Sequence, residues 1–127
     1  MPPVAASPMA PPLTLITGAS GFIGRALALA VAAESPSAAR TLIQTDLRIE
    51  GAGAVPGDMA DEALRRRLFE RPVARLFHLA GVVSGAAEAD FDLGLRVNLE
   101  ATLGLLEHCR RQVQAGGPLV RFIYASS

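Results

Sequence analysis

The 127-residue chain contains no lysine and no tryptophan, and it holds a single tyrosine and a single cysteine. All twelve basic residues are arginines, balanced by twelve acids, so the formal net charge is zero. Neither a basic patch nor an acidic block is present, which argues against nucleic acid as a partner. With Cys109 alone, no internal disulfide framework can form, and a reducing compartment is the simple reading. Inside a helical pattern, Cys109 reads as a small buried apolar residue rather than a nucleophile. No apolar run approaches the ~18 residues needed to cross a bilayer. The N-terminus lacks the charged start and continuous apolar segment of a secretory signal. A soluble, cytoplasmic protein without a membrane partner is the expectation. The length suits one domain, or part of one, with a real core.

What the chain does have is a glycine-punctuated turn, Thr17-Gly18-Ala19-Ser20-Gly21-Phe22-Ile23-Gly24, directly after the apolar run Leu13-Thr14-Leu15-Ile16. The pattern continues as Arg25-Ala26-Leu27-Ala28, so it reads as strand, tight turn and helix. Each glycine has a distinct purpose in a dinucleotide site. Gly18 permits the turn, Gly21 removes the side chain that would hold the backbone off a pyrophosphate, and Gly24 lets the helix lie close to the sheet. The unpaired N–H groups and positive dipole end of the helix then face the phosphates. The run Leu42-Ile43-Gln44-Thr45 ends in Asp46, about twenty residues beyond Gly24, where a carboxylate accepts from both ribose hydroxyls and repels a 2′-phosphate. That favours NAD over NADP, and Arg48 two residues on would soften the preference.

Along the chain, residues 1–12 carry Pro2, Pro3, Pro8, Pro11 and Pro12 among alanines and read as a disordered leader. Leu13 to Thr17 is uncharged and is expected as a central strand, buried on both faces. The first helix is predicted from Phe22 to Glu34, with Ile23, Leu27, Ala30 and Val31 inward and Ser35-Pro36-Ser37 as its stop. Ala54-Val55-Pro56 is a short strand whose proline suits an edge. Asp61 to Glu70 is a helix with acids first and arginines later, so Arg65, Arg66 and Arg67 read as a solvated face. Val73 to Ala80 is a buried strand, and His78 within it is read as a satisfied histidine rather than a metal ligand. A long helix is predicted from Phe91 to Val113, with Leu95, Leu99, Leu103, Leu106 and Val113 as one apolar stripe. The last strand, Leu119 to Tyr124, runs into Ala125-Ser126-Ser127.

Strands alternating with helices predict an α/β fold, a doubly wound parallel sheet with helices on both faces. Right-handed crossovers give the spatial order 3-2-1-4-5. Gly18 to Gly24, Asp46, Asp58, Ala80-Gly81 and Ser126-Ser127 then all fall at the carboxyl ends of the strands, where such sheets bind ligands. A methyltransferase of similar topology is disfavoured, because its cofactor has no pyrophosphate for the glycine turn to hold.

With that rim assembled, the sequence resembles the extended short-chain dehydrogenase/reductase family, the NAD-dependent epimerase/dehydratase group. The residues that carry the resemblance are Thr17-Gly18-x-x-Gly21-Phe22-Ile23-Gly24, Asp46, Gly57-Asp58, His78-Leu79-Ala80-Gly81, Asn98 and the strand ending in Ser126-Ser127. More narrowly, Val82-Val83-Ser84-Gly85 with Glu88-Ala89-Asp90-Phe91-Asp92-Leu93-Gly94 resembles the D-erythronate dehydrogenase branch. The resemblance implies a Rossmann-like fold over residues 13–127. It implies backbone contacts to the pyrophosphate from Gly18, Gly21, Phe22, Ile23 and Gly24, and a ribose contact from Asp46. Asp58 and Met59 would meet the adenine, while Ala80 and Gly81 would line the cofactor and Ser126 would sit toward the nicotinamide. Ser84 resembles a substrate contact, although a plain polar loop residue explains it equally, and Ser127 matches the catalytic serine.

The reaction that the resemblance implies is hydride transfer between NAD and a hydroxyl carbon of a sugar or sugar acid. A tyrosine assisted by a lysine four residues later takes the proton. Here the pattern breaks, because Tyr124 lies on a strand before the serines and there is no lysine. The expectation is therefore the nucleotide-binding portion of a longer enzyme, inactive by itself. Its counterpart is a non-catalytic dinucleotide-binding module. The apolar stripe of the long helix, with the resemblance, suggests a homodimer, while packing on its own sheet explains the stripe equally.

Overall fold

The computed structural model describes residues 11–81 and 89–125. A five-stranded, wholly parallel sheet is assembled from β1 (Leu13–Thr17), β2 (Leu42–Asp46), β3 (Ala54–Pro56), β4 (Val73–His78) and β5 (Arg121–Tyr124), in the order β3-β2-β1-β4-β5. Every residue of β1 is buried, as expected of the strand at the centre of a doubly wound sheet. Pro56 ends β3 at the outer edge, where a missing N–H costs no ladder bond.

Alternation along the strands sends side chains to two cores. Leu13, Leu15, Val73 and Leu76 pack with Leu64 and Leu68 of α3 (Glu62–Leu68) and with Ala101 and Leu105 of the long helix. On the opposite face, Ile16, Ala19 and Leu42 pack with Ala28 and Val31 of α1 (Phe22–Ala32). The result is three layers, helix on sheet on helix. Among the described residues no helix is long and apolar enough to cross a membrane.

Several sequence expectations are corrected here. The inward face of α1 is Gly24, Ala28 and Val31, with Leu27 half-buried, whereas Ile23 and Ala30 are exposed. An almost wholly apolar helix has no periodicity to fix its phase. The phase is set by Gly24, where a Cβ would stand 2.3 Å from the Gly18 carbonyl oxygen. Ser35-Pro36 also begins a helix, since Ser35 Oγ accepts from the Ala38 amide at 2.9 Å and Pro36 opens α2 (Pro36–Arg40).

The long helix runs as α4 (Phe91–Gly94), a π-helical stretch (Leu95–Glu100) and α5 (Ala101–Gln114). Its sheet-facing residues are Ala101, Leu105 and the half-buried Cys109, while Leu99, Leu103, Leu106 and Val113 of the predicted stripe are exposed. Polar anchors decide this orientation. The Gln112 side-chain amide accepts from the Val73 amide and donates to the Val73 carbonyl, each at 2.8 Å, and Thr102 meets His78 on β4. Arg65 is also not solvated as Arg66 and Arg67 are. It donates to Glu62 and to the Met59 carbonyl and lies over Gly104, which lacks the Cβ that would collide with it. Cys109 follows its reading as a core residue, with burial pushing its thiol up to about 11.

Candidate functional site

The carboxyl ends of β1 to β4 open onto a cleft of about 380 Å³ lined by Gly18, Gly21, Asp46, Leu47, Gly57, Asp58, Met59, Leu79, Ala80 and Gly81. The crossovers therefore bring together Gly18, Gly21, Asp46, Asp58, Met59, Ala80 and Gly81, the predicted cofactor-contacting residues at the strand ends. Phe22 and Ile23 stand beside it, exposed, as the first residues of α1. Ser84, Ser126 and Ser127 lie outside the described residues. Grooves of similar size, about 410 Å³ at Phe69, His108 and Gly117 and about 430 Å³ along α1, lack both the glycine turn and a helix N-terminus facing in.

Gly18 adopts φ +66°, and a Cβ there would lie 2.8 Å from the Ala80 amide nitrogen, so the turn needs glycine twice over. Gly24 is needed for the close approach already described. Gly21 differs: among the described residues a Cβ would meet only the Gly18 carbonyl oxygen at 3.4 Å, an ordinary contact. Its φ of −73° is open to any residue. None of the described residues demands glycine at Gly21, yet it lines the cleft, so the missing side chain leaves space for a ligand. At the same place α1 begins without a side-chain cap and without an acid in its first turn. By contrast, Ser35 and Asp61 cap α2 and α3. The positive end of α1 is thus left for an anion. These features fit a pyrophosphate.

Asp46, at the end of β2, is held on both oxygens. Oδ2 accepts from the Ser20 amide at 3.1 Å and from Ser20 Oγ at 2.6 Å, and Oδ1 accepts from the Leu47 amide at 2.8 Å. Asp58 is exposed and turns Oδ1 to the Ala60 amide at 2.9 Å. Met59 contributes to the cleft floor while its side chain sits in the core.

Behind the cleft, one register row crosses the sheet through Thr45, Thr17, His78 and Tyr124. Thr17 Oγ accepts from the Leu79 and Ala80 amides at 3.0 and 3.1 Å. Those donors use its lone pairs, leaving its proton for His78 Nδ1, 2.7 Å away. His78 therefore carries its proton on Nε2 and donates it to Thr102 Oγ at 2.8 Å, and Thr102 donates onward to the Asn98 carbonyl at 3.3 Å. Burial holds His78 down to about 4, so the ring is neutral at neutral pH. The reading of His78 as a satisfied histidine is thereby given its partners.

Sequence reasoning gave Ser20 and Leu47 no part in this site, and it quoted Thr17, Gly57 and Leu79 only as motif residues without a role. A polar residue between the first two glycines was a usable signal for Ser20. The partners of Thr17 lie 61 to 63 positions away, and only the fold brings them together.

Comparison with known proteins agrees with this architecture. The profile of the NAD dependent epimerase/dehydratase family matches residues 14–127. D-erythronate dehydrogenase from Cupriavidus necator is 42% identical over 109 residues, 76% of this chain and 34% of that protein. D-erythronate dehydrogenase from Haemophilus influenzae is 35% identical over 120 residues, 89% of this chain and 37% of that protein. The chain thus spans about a third of the length of these curated relatives. Among solved structures, a uronate dehydrogenase variant from Agrobacterium tumefaciens complexed with NAD superposes with a TM-score of 0.70 at 26% identity. That likeness covers 91% of this chain and 41% of that one. Glycine turn, strand-end acid, sheet order and a profile match over nearly the whole length agree: the chain belongs to the NAD-dependent epimerase/dehydratase family, whose cofactor is NAD.

Proposed function

We propose that residues 13–127 form the NAD-binding part of an oxidoreductase that moves hydride between NAD and a hydroxyl carbon of a sugar or sugar acid, with D-erythronate as the favoured substrate. The observation that carries the cofactor half is Gly21, a glycine that none of the described residues requires, at the uncapped start of α1. The substrate half rests on the two D-erythronate dehydrogenases.

In this reading the amides of Gly21, Phe22 and Ile23 hold the pyrophosphate and Asp46 accepts from the adenosine ribose. Met59 and Asp58 flank the adenine, and Ala80 and Gly81 form the opposite wall. When bound, the nicotinamide supplies a hydride acceptor at carbon. Ser127 orients the reacting hydroxyl, Ser126 lies toward the nicotinamide and Ser84 meets the substrate. The general base is not among these residues, because there is no lysine and the one tyrosine, Tyr124, stands on β5 with its ring 5.7 Å from that of His78. That placement favours a second reading for the chain by itself, a dinucleotide-binding module without turnover. The exposed row Leu99, Leu103, Leu106 and Val113 supports a homodimer through the helix at 91–113.

Titrating NAD into the chain and assaying NADH formation with D-erythronate tests both halves. Saturable binding without NADH formation is the result expected of an NAD-binding part that lacks the general base, turnover by this chain would show that a base is present among its residues, and no binding by a folded sample removes the cofactor reading.

A further inference from the structure

Asp46 has a short side chain at the rim of an open cleft, and a carboxylate there would ordinarily sample several rotamers. Instead both oxygens are fixed by three donors, and two of the three belong to Ser20. The Ser20 hydroxyl contact, at 2.6 Å, has the short distance of a hydrogen bond to an ionised acceptor. Ser20 is exposed and adds nothing to either core, so its side chain is free to serve the cleft.

Building on the cofactor reading above, we infer that Ser20 is a positioning residue that pins the Asp46 carboxylate to the cleft wall and so sets the choice between a free ribose 2′-hydroxyl and a 2′-phosphate. A carboxylate offers about four acceptor directions. Three are used by Ser20 and Leu47, which leaves one on Oδ1, and the Ser20 oxygen adds lone pairs beside it. A ribose hydroxyl thus meets an acceptor that is already oriented and whose ordering needs no binding energy. A 2′-phosphate meets a negative charge that is unable to swing away into solvent. Loss of the Ser20 hydroxyl leaves the Ser20 and Leu47 amides in place but loosens the carboxylate, which lowers both effects together: NAD loses part of a prepared acceptor, and NADP loses part of a fixed repulsion.

The test is calorimetric titration of NAD and NADP into the wild-type chain and into Ser20→Ala and Ser20→Thr, with melting temperatures recorded alongside. The wild-type chain is expected to prefer NAD. In Ser20→Ala, NAD affinity falls roughly tenfold, the worth of one such hydrogen bond, NADP affinity holds or rises, and the melting temperature is unchanged. Ser20→Thr, which keeps the hydroxyl, restores the preference. A Ser20→Ala chain that loses both nucleotides by the same factor, or neither, overturns the inference while leaving the cofactor reading intact. A folded wild-type chain that binds neither nucleotide overturns both.

Discussion

The two flanks of β1 are built differently. Toward β4, Thr17 and His78 belong to a buried chain of hydrogen bonds that reaches from the Leu79 and Ala80 amides to Thr102 on α5. Toward β2, Thr45 stands beside Thr17 in register and equally buried, yet its hydroxyl has no hydrogen-bond partner among the described residues. Beyond the backbone ladder, the side-chain tie across that flank is the exposed contact between Ser20 and Asp46. The β4 flank therefore fixes the cleft through contacts that stability depends on. In the inference drawn above, the β2 flank sets selectivity through contacts that cost the fold little.

The largest effect should come from breaking the β4 flank. Thr17→Val strips the Ala80 amide and His78 Nδ1 of their partner. At about 1–3 kcal/mol for each buried group left unsatisfied, the loss should be roughly 4 kcal/mol by urea or thermal unfolding. Acid should open the same flank. The His78 pKa falls from 6.5 unfolded to about 4 folded, so its contribution is complete above pH 6.5 and is lost as pH drops toward 4. The full loss is on the order of 3 kcal/mol. Glu34, Glu62 and Glu107 are held below their usual 4.5, Glu34 by Arg75, Glu62 by His108 and Arg65 against the opposing effect of burial, and Glu107 by Arg110 and Arg111. Their losses come only at lower pH, so the decline between pH 6.5 and 4.5 should flatten in a His78→Phe chain.

On the β2 flank the same kind of change should have the opposite sign. Thr45→Val removes an unpaired buried hydroxyl and should raise stability by about 1 kcal/mol. A destabilised Thr45→Val chain would show that this hydroxyl is paired after all. Smallest of all in stability is Gly21→Ala, expected within about 0.5 kcal/mol of the wild type, because none of the described residues fills the space its Cβ would take.

The legible part of the molecule was the part written in local chemistry. Uncharged β1, the glycine turn and the acid ending β2 each declare themselves within a few residues, and crossover handedness orders the strands from there. Helix phase was not legible. α1 is apolar on nearly every side, and its orientation depends on a backbone contact at Gly24. The leucine stripe of the long helix is more hydrophobic than the face that meets the sheet, which is chosen by Thr102 and Gln112. Arg65 was misread because its burial depends on the small residue Gly104 on another helix. In the site, Asp46 was legible as an acid at a strand end, but its grip by Ser20 required the turn to be folded back on β2.

The central claim is that the glycine turn, Asp46 and the end of β4 form an NAD cleft in which the bare backbone at Gly21 exists for the ligand and not for the fold. Calorimetric titration of NAD into Gly21→Val, beside the wild-type chain and with both melting curves in hand, tests it most directly. The account predicts a variant that melts with the wild type and shows no NAD binding where the wild type saturates. A folded variant that binds NAD as tightly as the wild type would contradict it.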